Sequence, residues 1–272
     1  MGRLTSRLTN QKKVNIAIIG GSGFERLFSD AEPLTVETPY GSVHPLFMEK
    51  IADKQVIFLP RHKPDHSIPP HRINYRANIS SLYSIGVERI LATNAVGAIN
   101  PNFKPADIII PHDLIDFTKL RHTTFYDEAP VTHIDFSQPY CPEMRELLIN
   151  TARRHKWRTW EKAVMACTEG PRYETPAEIE MFRKVECDIV GMTGAPEAAL
   201  AREVGMCYVA ICYASNMAAG MQKRLTATEV TETSKQTLPK IEQLLIETVK
   251  TLPSRRDKKC PCAKALENAR LE

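Results

Sequence analysis

Residues 14–23 read VNIAIIGGSG, a run of β-branched residues that ends in a glycine-rich turn. This pattern is typical of a buried strand that runs into a loop. Similar short apolar runs recur along the chain, with helical patterns between them. The runs are VIFLP at 56–60, RILAT at 89–93, DIIIP at 107–111, AVMAC at 163–167, DIVGM at 188–192 and CYVAICY at 207–213. The alternation predicts an α/β fold in a single domain, with a central mixed sheet flanked by helices.

Four segments carry helix signals. The clearest is TPAE at 175–178, where Thr175 is suited to cap the helix, Pro176 fits the first turn and Glu178 completes a capping box. The other helices are predicted over about 72–86, over 195–204, and from a second capping box at 226–229 to about residue 250.

Composition restricts the class of protein. The chain has 272 residues, 43% of them hydrophobic and 25% charged, which is typical of ordinary globular proteins. Of the net charge of +4, residues 255–272 supply +3, from six Lys and Arg against three Asp and Glu. The remaining body is close to neutral and indicates no nucleic-acid partner. No stretch has the length and apolarity of a membrane span or a secretory signal, so we expect a cytoplasmic protein without a membrane partner.

The same composition divides the chain into three parts. Residues 1–13 form a polar N-terminal extension, residues 14–252 form the α/β domain, and residues 253–272 form a basic C-terminal tail. The polar and basic character of the last part predicts a tail on the protein surface.

Two segments carry groups suited to an anion. The turn Gly-Gly-Ser-Gly at 20–23 lets backbone N–H groups converge, and Ser22 adds a hydroxyl. Arg61 and His62 directly follow the strand VIFLP, where a guanidinium fork and an imidazole suit a phosphate. A tight turn and a solvated basic loop are the alternative interpretations.

Dinucleotide and metal sites are disfavoured. Arg26 stands where a dinucleotide fingerprint needs its third glycine, and the turn lacks the Gly-Lys-Ser/Thr ending of a P-loop. Prolines interrupt the histidines between positions 62 and 71, and no carboxylate pattern accompanies them. Cys260 and Cys262 are closely spaced, but two thiols alone make a poor zinc site. We therefore predict no metal.

Polar residues also stand at three later points near strand ends. The segment TNAVGA at 93–98 allows a ligand close to the backbone, Glu174 follows Tyr173 just before a helix, and Asn216 follows the strand CYVAICYA. Each has an alternative interpretation without a ligand. The TNAVGA segment is then a buried strand that turns, Glu174 is an acid that complements the helix dipole, and Asn216 is a turn residue.

Taken in order, these segments resemble the methylthioadenosine phosphorylase and trimeric purine nucleoside phosphorylase family. The resemblance runs from about residue 14 to residue 250. Its motifs are IAIIGGSGF (16–24), LPRHKPDH (59–66), INYRANI (73–79), NAVGA (94–98), THIDFSQPYC (132–141), EGPRYETPAE (169–178) and GMTGAPEAALARE (191–203). It implies phosphorolysis of a purine nucleoside by a homotrimer or a dimer of trimers, with inorganic phosphate as co-substrate and no cofactor.

The resemblance also implies roles for individual residues. Phosphate contacts are implied at Ser22, Arg61, His62, Asn94, Ala95 and Thr193, with Asn94 standing where the family usually has Ser or Thr. Tyr173 is implied to stack on the purine and Met192 to lie under the ribose, while His133 is implied to reach the site of a neighbouring subunit.

The base-recognition positions favour 6-oxopurines. Aminopurine-specific members carry Asp-x-Asp where this chain has Asn216 and Ala218, and 6-oxopurine members have Glu and Asn at the positions of Glu174 and Asn216. A carboxylate accepts from the N1–H of a 6-oxopurine, and an amide offers both a donor and an acceptor to the O6 and N7 edge. Adenine leaves these polar groups unpaired, a mismatch that discriminates by about 10⁴ or more.

The position where relatives that use a 5′-hydroxyl often have a His reads Ala227, and Val230 and Thr231 follow. An apolar lining suits a 5′-methylthio group, so we expect S-methyl-5′-thioinosine as substrate, with inosine and guanosine as alternatives. The competing interpretations are a methylthioadenosine phosphorylase that releases adenine, a dinucleotide-dependent oxidoreductase, and a catalytically silent nucleoside-binding relative. The pair Cys260 and Cys262 resembles the ending of some thermophilic members, as a disulfide or as two thiols.

Overall fold

The computed structural model describes residues 14–21, 24, 28, 31–224, 226–257 and 259–271. Within these residues, eleven strands form one mixed sheet. The strands are β1 (Ile16–Gly20), β2 (Pro33–Thr38), β3 (Gly41–Ile51), β4 (Lys54–Pro60), β5 (Arg89–Ala98), β6 (Ile108–Ile109), β7 (Asp113–Asp116), β8 (Thr159–Trp160), β9 (Val164–Cys167), β10 (Ile189–Gly191) and β11 (Cys207–Met217). The predicted α/β fold with a central mixed sheet is confirmed.

The centre of the sheet is parallel, and this brings several strand ends to one edge. The order β4, β1, β5, β11 is parallel throughout, so the carboxyl ends of these strands point the same way. Strand β10 runs antiparallel to the end of β5, where Val190 pairs with Gly97. Ligands of open α/β sheets bind at such carboxyl edges.

Five helices cover the two faces of the sheet in the described part of the chain. They are α1 (Tyr75–Ser84), α2 (Pro142–Arg154), α3 (Pro176–Lys184), α4 (Gly194–Glu203) and α5 (Ala227–Thr251). The alternation of side chains along β1 shows how the faces separate, because Ala17 and Ile19 join a core with α1 and α4. Ile16 and Ile18 point the other way, into a core with α2 and α5.

The helix starts follow the local chemistry that the sequence predicts. The Thr175 hydroxyl accepts from the backbone N–H of Glu178, and the Glu178 carboxylate accepts from that of Thr175, so the capping box of α3 is complete. At α5 only half of the predicted box forms. Thr226 caps the helix, but the Glu229 carboxylate accepts from the side-chain amide of Gln222 instead.

The C-terminal segment corrects one prediction. Cys260, Cys262, Ala265 and Ala269 are buried, although this part of the chain is expected on the surface. Most of the charged side chains that the structure describes here are exposed while small apolar residues pack inward, a division that composition alone does not reveal. The end of this segment also pairs with an earlier loop, through a β-bridge between Thr132 and Arg270.

The predicted helix over 72–86 and the predicted strands are found with shifted ends, whereas no predicted element corresponds to β2, β3, β7, β8 or α2. Among the helices that the structure describes, none is both long enough and apolar enough to cross a membrane.

We predict that Gly20→Ala destabilises the fold. A Cβ at Gly20 would lie 2.2 Å from Cε2 of Phe58. The Phe58 ring is held by stacking on Phe28 at 4.4 Å between centroids, so it has no room to move away. The expected loss in free energy of unfolding is about 1–3 kcal/mol, measured by urea denaturation.

Gly21→Ala is the matched control. Its Cβ would meet Nη1 of Arg61 at 3.7 Å and the Thr93 carbonyl oxygen at 3.8 Å, which are ordinary contacts. Equal losses for the two variants would contradict the packing argument.

Candidate active site

A cavity of about 440 Å³ opens at the carboxyl edge of the sheet, within the size range of small-molecule sites. Most of the residues that the sequence singled out line it. They are Arg61, His62, Asn94, Ala95, Tyr173, Glu174, Met192, Thr193, Asn216, Ala218 and Val230. The structure therefore brings together residues from six separate segments of the chain.

Arg61 is held by a buried ion pair with Glu197, a residue of α4. The Arg61 Nε lies 2.5 Å from Oε1 of Glu197 and its Nη2 lies 2.9 Å from Oε2, while Nη1 donates to the carbonyl oxygen of Thr93. Tyr208 adds a hydroxyl donor to the same carboxylate at 2.8 Å. Burial alone would lower the pKa of Arg61, but the attraction of Glu197 outweighs it and raises that pKa.

This ion pair leaves Arg61 with donors to spare. A guanidinium has five N–H groups, and within the described part of the chain the contacts to Glu197 and Thr93 use three of them. Because the positive charge is already matched by Glu197, the pair is electrically neutral. The remaining N–H groups of Arg61 therefore bind an anion through directional hydrogen bonds more than through net positive charge.

His62 is half-buried beside Arg61. Its Nδ1 lies 2.8 Å from the carbonyl oxygen of Ile68, and since a carbonyl only accepts, Nδ1 carries a proton in this contact. Burial, followed by the charge of Arg61, lowers the pKa of His62 and favours the neutral ring. Nε2 of that ring then holds a lone pair and accepts hydrogen bonds.

Asn94 and Thr193 join the middle of β5 to the start of α4. The Thr193 hydroxyl donates to Oδ1 of Asn94 at 2.9 Å, and both residues are buried. Nδ2 of Asn94 is buried without a hydrogen-bond partner among the described residues. A buried donor that stays unpaired is costly, so this amide is a candidate for contact with a ligand.

Glu174 is held in place by Thr168. The Thr168 hydroxyl donates to Oε1 of Glu174 at 2.7 Å and lies 3.4 Å from the carbonyl oxygen of Gly191, the last residue of β10. Burial raises the pKa of Glu174, and the hydrogen bond from Thr168 offsets this in part.

A β-bulge aims Asn216 at the cavity. The register between β11 and β5 shifts between Ala214 and Asn216, which then pairs with Gly97. Oδ1 of Asn216 accepts from the Ser215 hydroxyl at 2.7 Å, and Nδ2 donates to the Met217 carbonyl oxygen at 2.8 Å. The second hydrogen of Nδ2 is left for a ligand.

Glu174 and Asn216 both lie against the end of β10. Thr168 contacts both Glu174 and the last residue of β10. Gly97 lies between β10 and Asn216, since a Cβ at this position would lie 3.1 Å from Cγ1 of Val190 and 3.4 Å from Nδ2 of Asn216. A carboxylate and an amide therefore flank the same short strand within one cavity.

Met192 and Tyr173 supply apolar surface. Met192 packs against Gly170, where a Cβ would lie 2.5 Å from the Met192 sulfur and where φ is +66°. Tyr173 is 41% exposed at the cavity. An exposed aromatic ring beside a cavity is suited to stack on a flat ligand.

Three residues from the sequence analysis lie elsewhere. Ser22 falls outside the described residues. His133 is exposed and does not line the cavity of its own chain, and its backbone N–H donates to the carbonyl oxygen of Ala269. Ala227, the first residue of α5, is exposed and is not among the lining residues, and α5 lines the cavity through Val230, Thr231, Ser234, Lys235 and Leu238 instead.

Residues 15–250 match the model of the family described as the phosphorylase superfamily. The chain belongs to the phosphorylase superfamily. This phosphorylase is 48% identical to the probable 6-oxopurine nucleoside phosphorylase of Thermococcus kodakarensis, over 93% of this chain and 98% of the relative. It is 47% identical to the probable S-methyl-5′-thioinosine phosphorylase of Thermodesulfovibrio yellowstonii, over 96% and 98% of the two chains.

Other relatives act, by their names, on an aminopurine nucleoside. The phosphorylase is 43% identical to the S-methyl-5′-thioadenosine phosphorylase of Pyrococcus abyssi, over 93% of this chain and 97% of the relative. It also superposes on the methylthioadenosine phosphorylase of Schistosoma mansoni in complex with adenine, with a TM-score of 0.89 at 29% identity, over 95% and 99% of the two chains. The family match overturns the alternative of a dinucleotide-dependent oxidoreductase.

Sequence reasoning missed two residues that position the site of this phosphorylase. Glu197 lies within a quoted motif, but an acid in the first turn of a helix reads as a solvated residue. Arg121 donates to the carbonyl oxygens of Glu169 and Met192 and to the Tyr75 hydroxyl, and so ties together the loops that carry Glu174 and Met192. It stands in a loop without a motif, so only the fold reveals its role.

We predict that Glu197→Gln lowers the free energy of unfolding by about 3–5 kcal/mol, because it leaves the Arg61 charge buried without its partner. Tyr208→Phe is the control. It removes one neutral donor to the same carboxylate and is expected to cost about 1 kcal/mol. Urea denaturation measures the free energy of unfolding of both variants. A similar decrease in the two would contradict the claim that the charge of Glu197 compensates the buried charge of Arg61.

Proposed function

We propose that the protein catalyses phosphorolysis of 6-oxopurine nucleosides, with S-methyl-5′-thioinosine favoured over inosine and guanosine. The products are the free base and the corresponding ribose 1-phosphate. The observation that carries the proposal is that Glu174 and Asn216 line the same cavity as Arg61 and Thr193. A base-recognition pair and an anion site thus face one enclosed space of nucleoside size.

The anion site suits inorganic phosphate. Arg61 offers spare N–H donors, Asn94 offers a buried unpaired amide, and Thr193 offers a hydroxyl. Since Glu197 already balances the charge of Arg61, the site favours an anion of low charge. Neutral His62, which accepts at Nε2, fits the P–OH group of monoanionic phosphate. Ala95 and Ser22 complete the proposed contacts through backbone and hydroxyl groups.

The base site suits a lactam. Ionised Glu174 accepts from N1–H, and the free Nδ2 hydrogen of Asn216 is a donor for the O6 and N7 edge. Ala218 leaves no carboxylate to receive an exocyclic amino group at this edge. The sequence relatives named for 6-oxopurine nucleosides and methylthioinosine support the same base class.

The proposed reaction needs positioning and electrostatic stabilisation. A phosphate oxygen forms a bond to the anomeric carbon as the bond between that carbon and N9 breaks, and the electron pair leaves with the purine. Asn216 donates to N7, where negative charge develops. The bound phosphate stabilises positive charge on the ribosyl ring, under which Met192 lies, while Tyr173 stacks on the base. No protein nucleophile or cofactor takes part.

The remainder of the sugar site involves α5 and a second subunit. Val230 and Leu238 provide apolar surface for a 5′-methylthio group, beside the polar Thr231, Ser234 and Lys235 of the same helix. His133 is exposed on its own chain, so we propose that it reaches the site of a neighbour in a homotrimer or a dimer of trimers. Seven free cysteines fit a reducing compartment such as the cytoplasm.

We predict that a phosphorolysis panel ranks methylthioinosine above inosine and guanosine, and all three at least 10⁴-fold above methylthioadenosine and adenosine in kcat/KM, because adenine leaves Glu174 and Asn216 unpaired. Base release is measured with and without phosphate. Faster release of adenine would favour methylthioadenosine phosphorylase, and binding without base release would indicate a silent relative.

We further predict that kcat/KM for inosine falls on the acid side as Glu174 takes up a proton. Burial raises the pKa of this carboxyl, so the accepting carboxylate is present above that pKa and is lost at a higher pH than for an ordinary Glu. The Glu174→Gln variant cannot titrate at this position.

Comparison of the two pH profiles separates Glu174 from the titration of phosphate and of His62, which both proteins share. The variant is expected to have a lower kcat/KM and to lack the limb caused by Glu174. An identical acid limb in both proteins would contradict the assigned contact to N1–H.

A further inference from the structure

Four cysteine side chains meet at one point outside the nucleoside cavity. Cys141 precedes α2, Cys207 begins β11, and Cys260 and Cys262 flank Pro261 in the C-terminal segment. All four are buried, and their Sγ atoms all lie within 4.8 Å of one another. These residues are called the four-cysteine cluster below.

The spacing of the sulfur atoms indicates a shared ligand. Sγ of Cys260 lies 3.7 Å from that of Cys141 and 3.5 Å from that of Cys207. These separations are too long for a disulfide bond, which needs about 2.05 Å. Around a tetrahedral ion with thiolates at about 2.3 Å, the sulfur atoms stand about 3.8 Å apart. The cluster therefore has the dimensions of a metal centre.

We propose that the four-cysteine cluster binds one Zn²⁺ ion in tetrahedral coordination. A donor set made only of thiols selects soft or borderline cations. Zn²⁺ is such a cation, and its structural sites are almost always tetrahedral. Four protein ligands leave no open position for substrate or water, so the ion is structural. It stands apart from the proposed catalytic residues, and the proposal does not depend on phosphorolysis.

The surroundings tolerate the charge of such a centre. Each of the four thiols releases its proton on binding, and four thiolates with one Zn²⁺ carry a net charge of −2. Cys141 is the N-cap residue of α2, where the helix dipole stabilises negative charge. Arg256 donates to the carbonyl oxygen of Gly205, two residues before Cys207, and brings a positive charge to this side of the cluster.

The proposed ion fastens the C-terminal segment to the sheet. Before the cluster, Arg89 donates to the carbonyl oxygen of Pro253. After it, the segment pairs with the loop that carries His133, through the hydrogen bonds of Ala269 with His133 and of Leu271 with Val131. Loss of the ion therefore releases the support of the loop that is proposed to reach the neighbouring subunit.

The first test is the metal content of the full-length protein, purified without chelators and analysed by inductively coupled plasma mass spectrometry. The expected result is about one Zn per chain, with X-ray absorption showing four sulfur neighbours at about 2.3 Å. This measurement needs no variant and so does not depend on the folding of one. Protein without zinc, or with iron in its place, would overturn the proposal.

The second test compares Cys262→Ser with Cys187→Ser. Cys187 is also buried but lies in a separate core, against α3, so its replacement controls for the loss of a buried thiol. Cys262→Ser is expected to lose most of the bound zinc and to melt at a lower temperature, while Cys187→Ser keeps one ion per chain. Equal zinc content in both variants, or a disulfide among the four cysteines in unreduced wild-type protein, would overturn the proposal.

Discussion

The buried ion pair between Arg61 and Glu197 is the interaction on which the site depends. It joins the end of β4 to the first turn of α4, and its two charges neutralise each other inside the protein. Removing a pair of charges from water is expensive, so the geometry must be good, and the hydroxyl of Tyr208 and the carbonyl oxygen of Thr93 satisfy further hydrogen-bonding groups. The pair fixes where α4 begins and hence where Thr193 stands.

A chain of contacts links Thr193 to the other walls of the cavity. Thr193 bonds Asn94 on β5, and the end of β5 pairs with both β10 and β11. The β-bulge in β11 then turns Asn216 toward the space that Glu174 enters from the other side of β10. The proposed anion and base sites thus share the neighbouring strands β5 and β11 through Asn94 and Asn216, whereas Glu174 stands in the loop before α3 and is held there by Thr168.

The sequence predicted those parts of the structure that local chemistry decides. The apolar run at 14–19 and the capping box of Thr175 each carry their own signal, and the resemblance brought distant residues into one proposed site. The hairpin of β2 and β3 carries a weaker signal, because β2 only alternates Leu34 and Val36 with polar residues and β3 places polar residues around the short stretch Leu46–Met48. The role of Glu197 depends on a partner 136 residues away in the chain. The cysteines meet across separations of 119 and 53 residues, which spacing alone does not reveal.

Strand β11 has one end at the four-cysteine cluster and the other at the proposed base site. A strand rises about 3.4 Å per residue, so the two ends stand about 30 Å apart and their separation is set by the number of residues between them. An insertion or deletion within this stretch would shift either Cys207 or Asn216 out of register with β5. Side chains along the strand can therefore change during evolution, but a change in its length would displace either the cysteine ligand or the base-recognition amide.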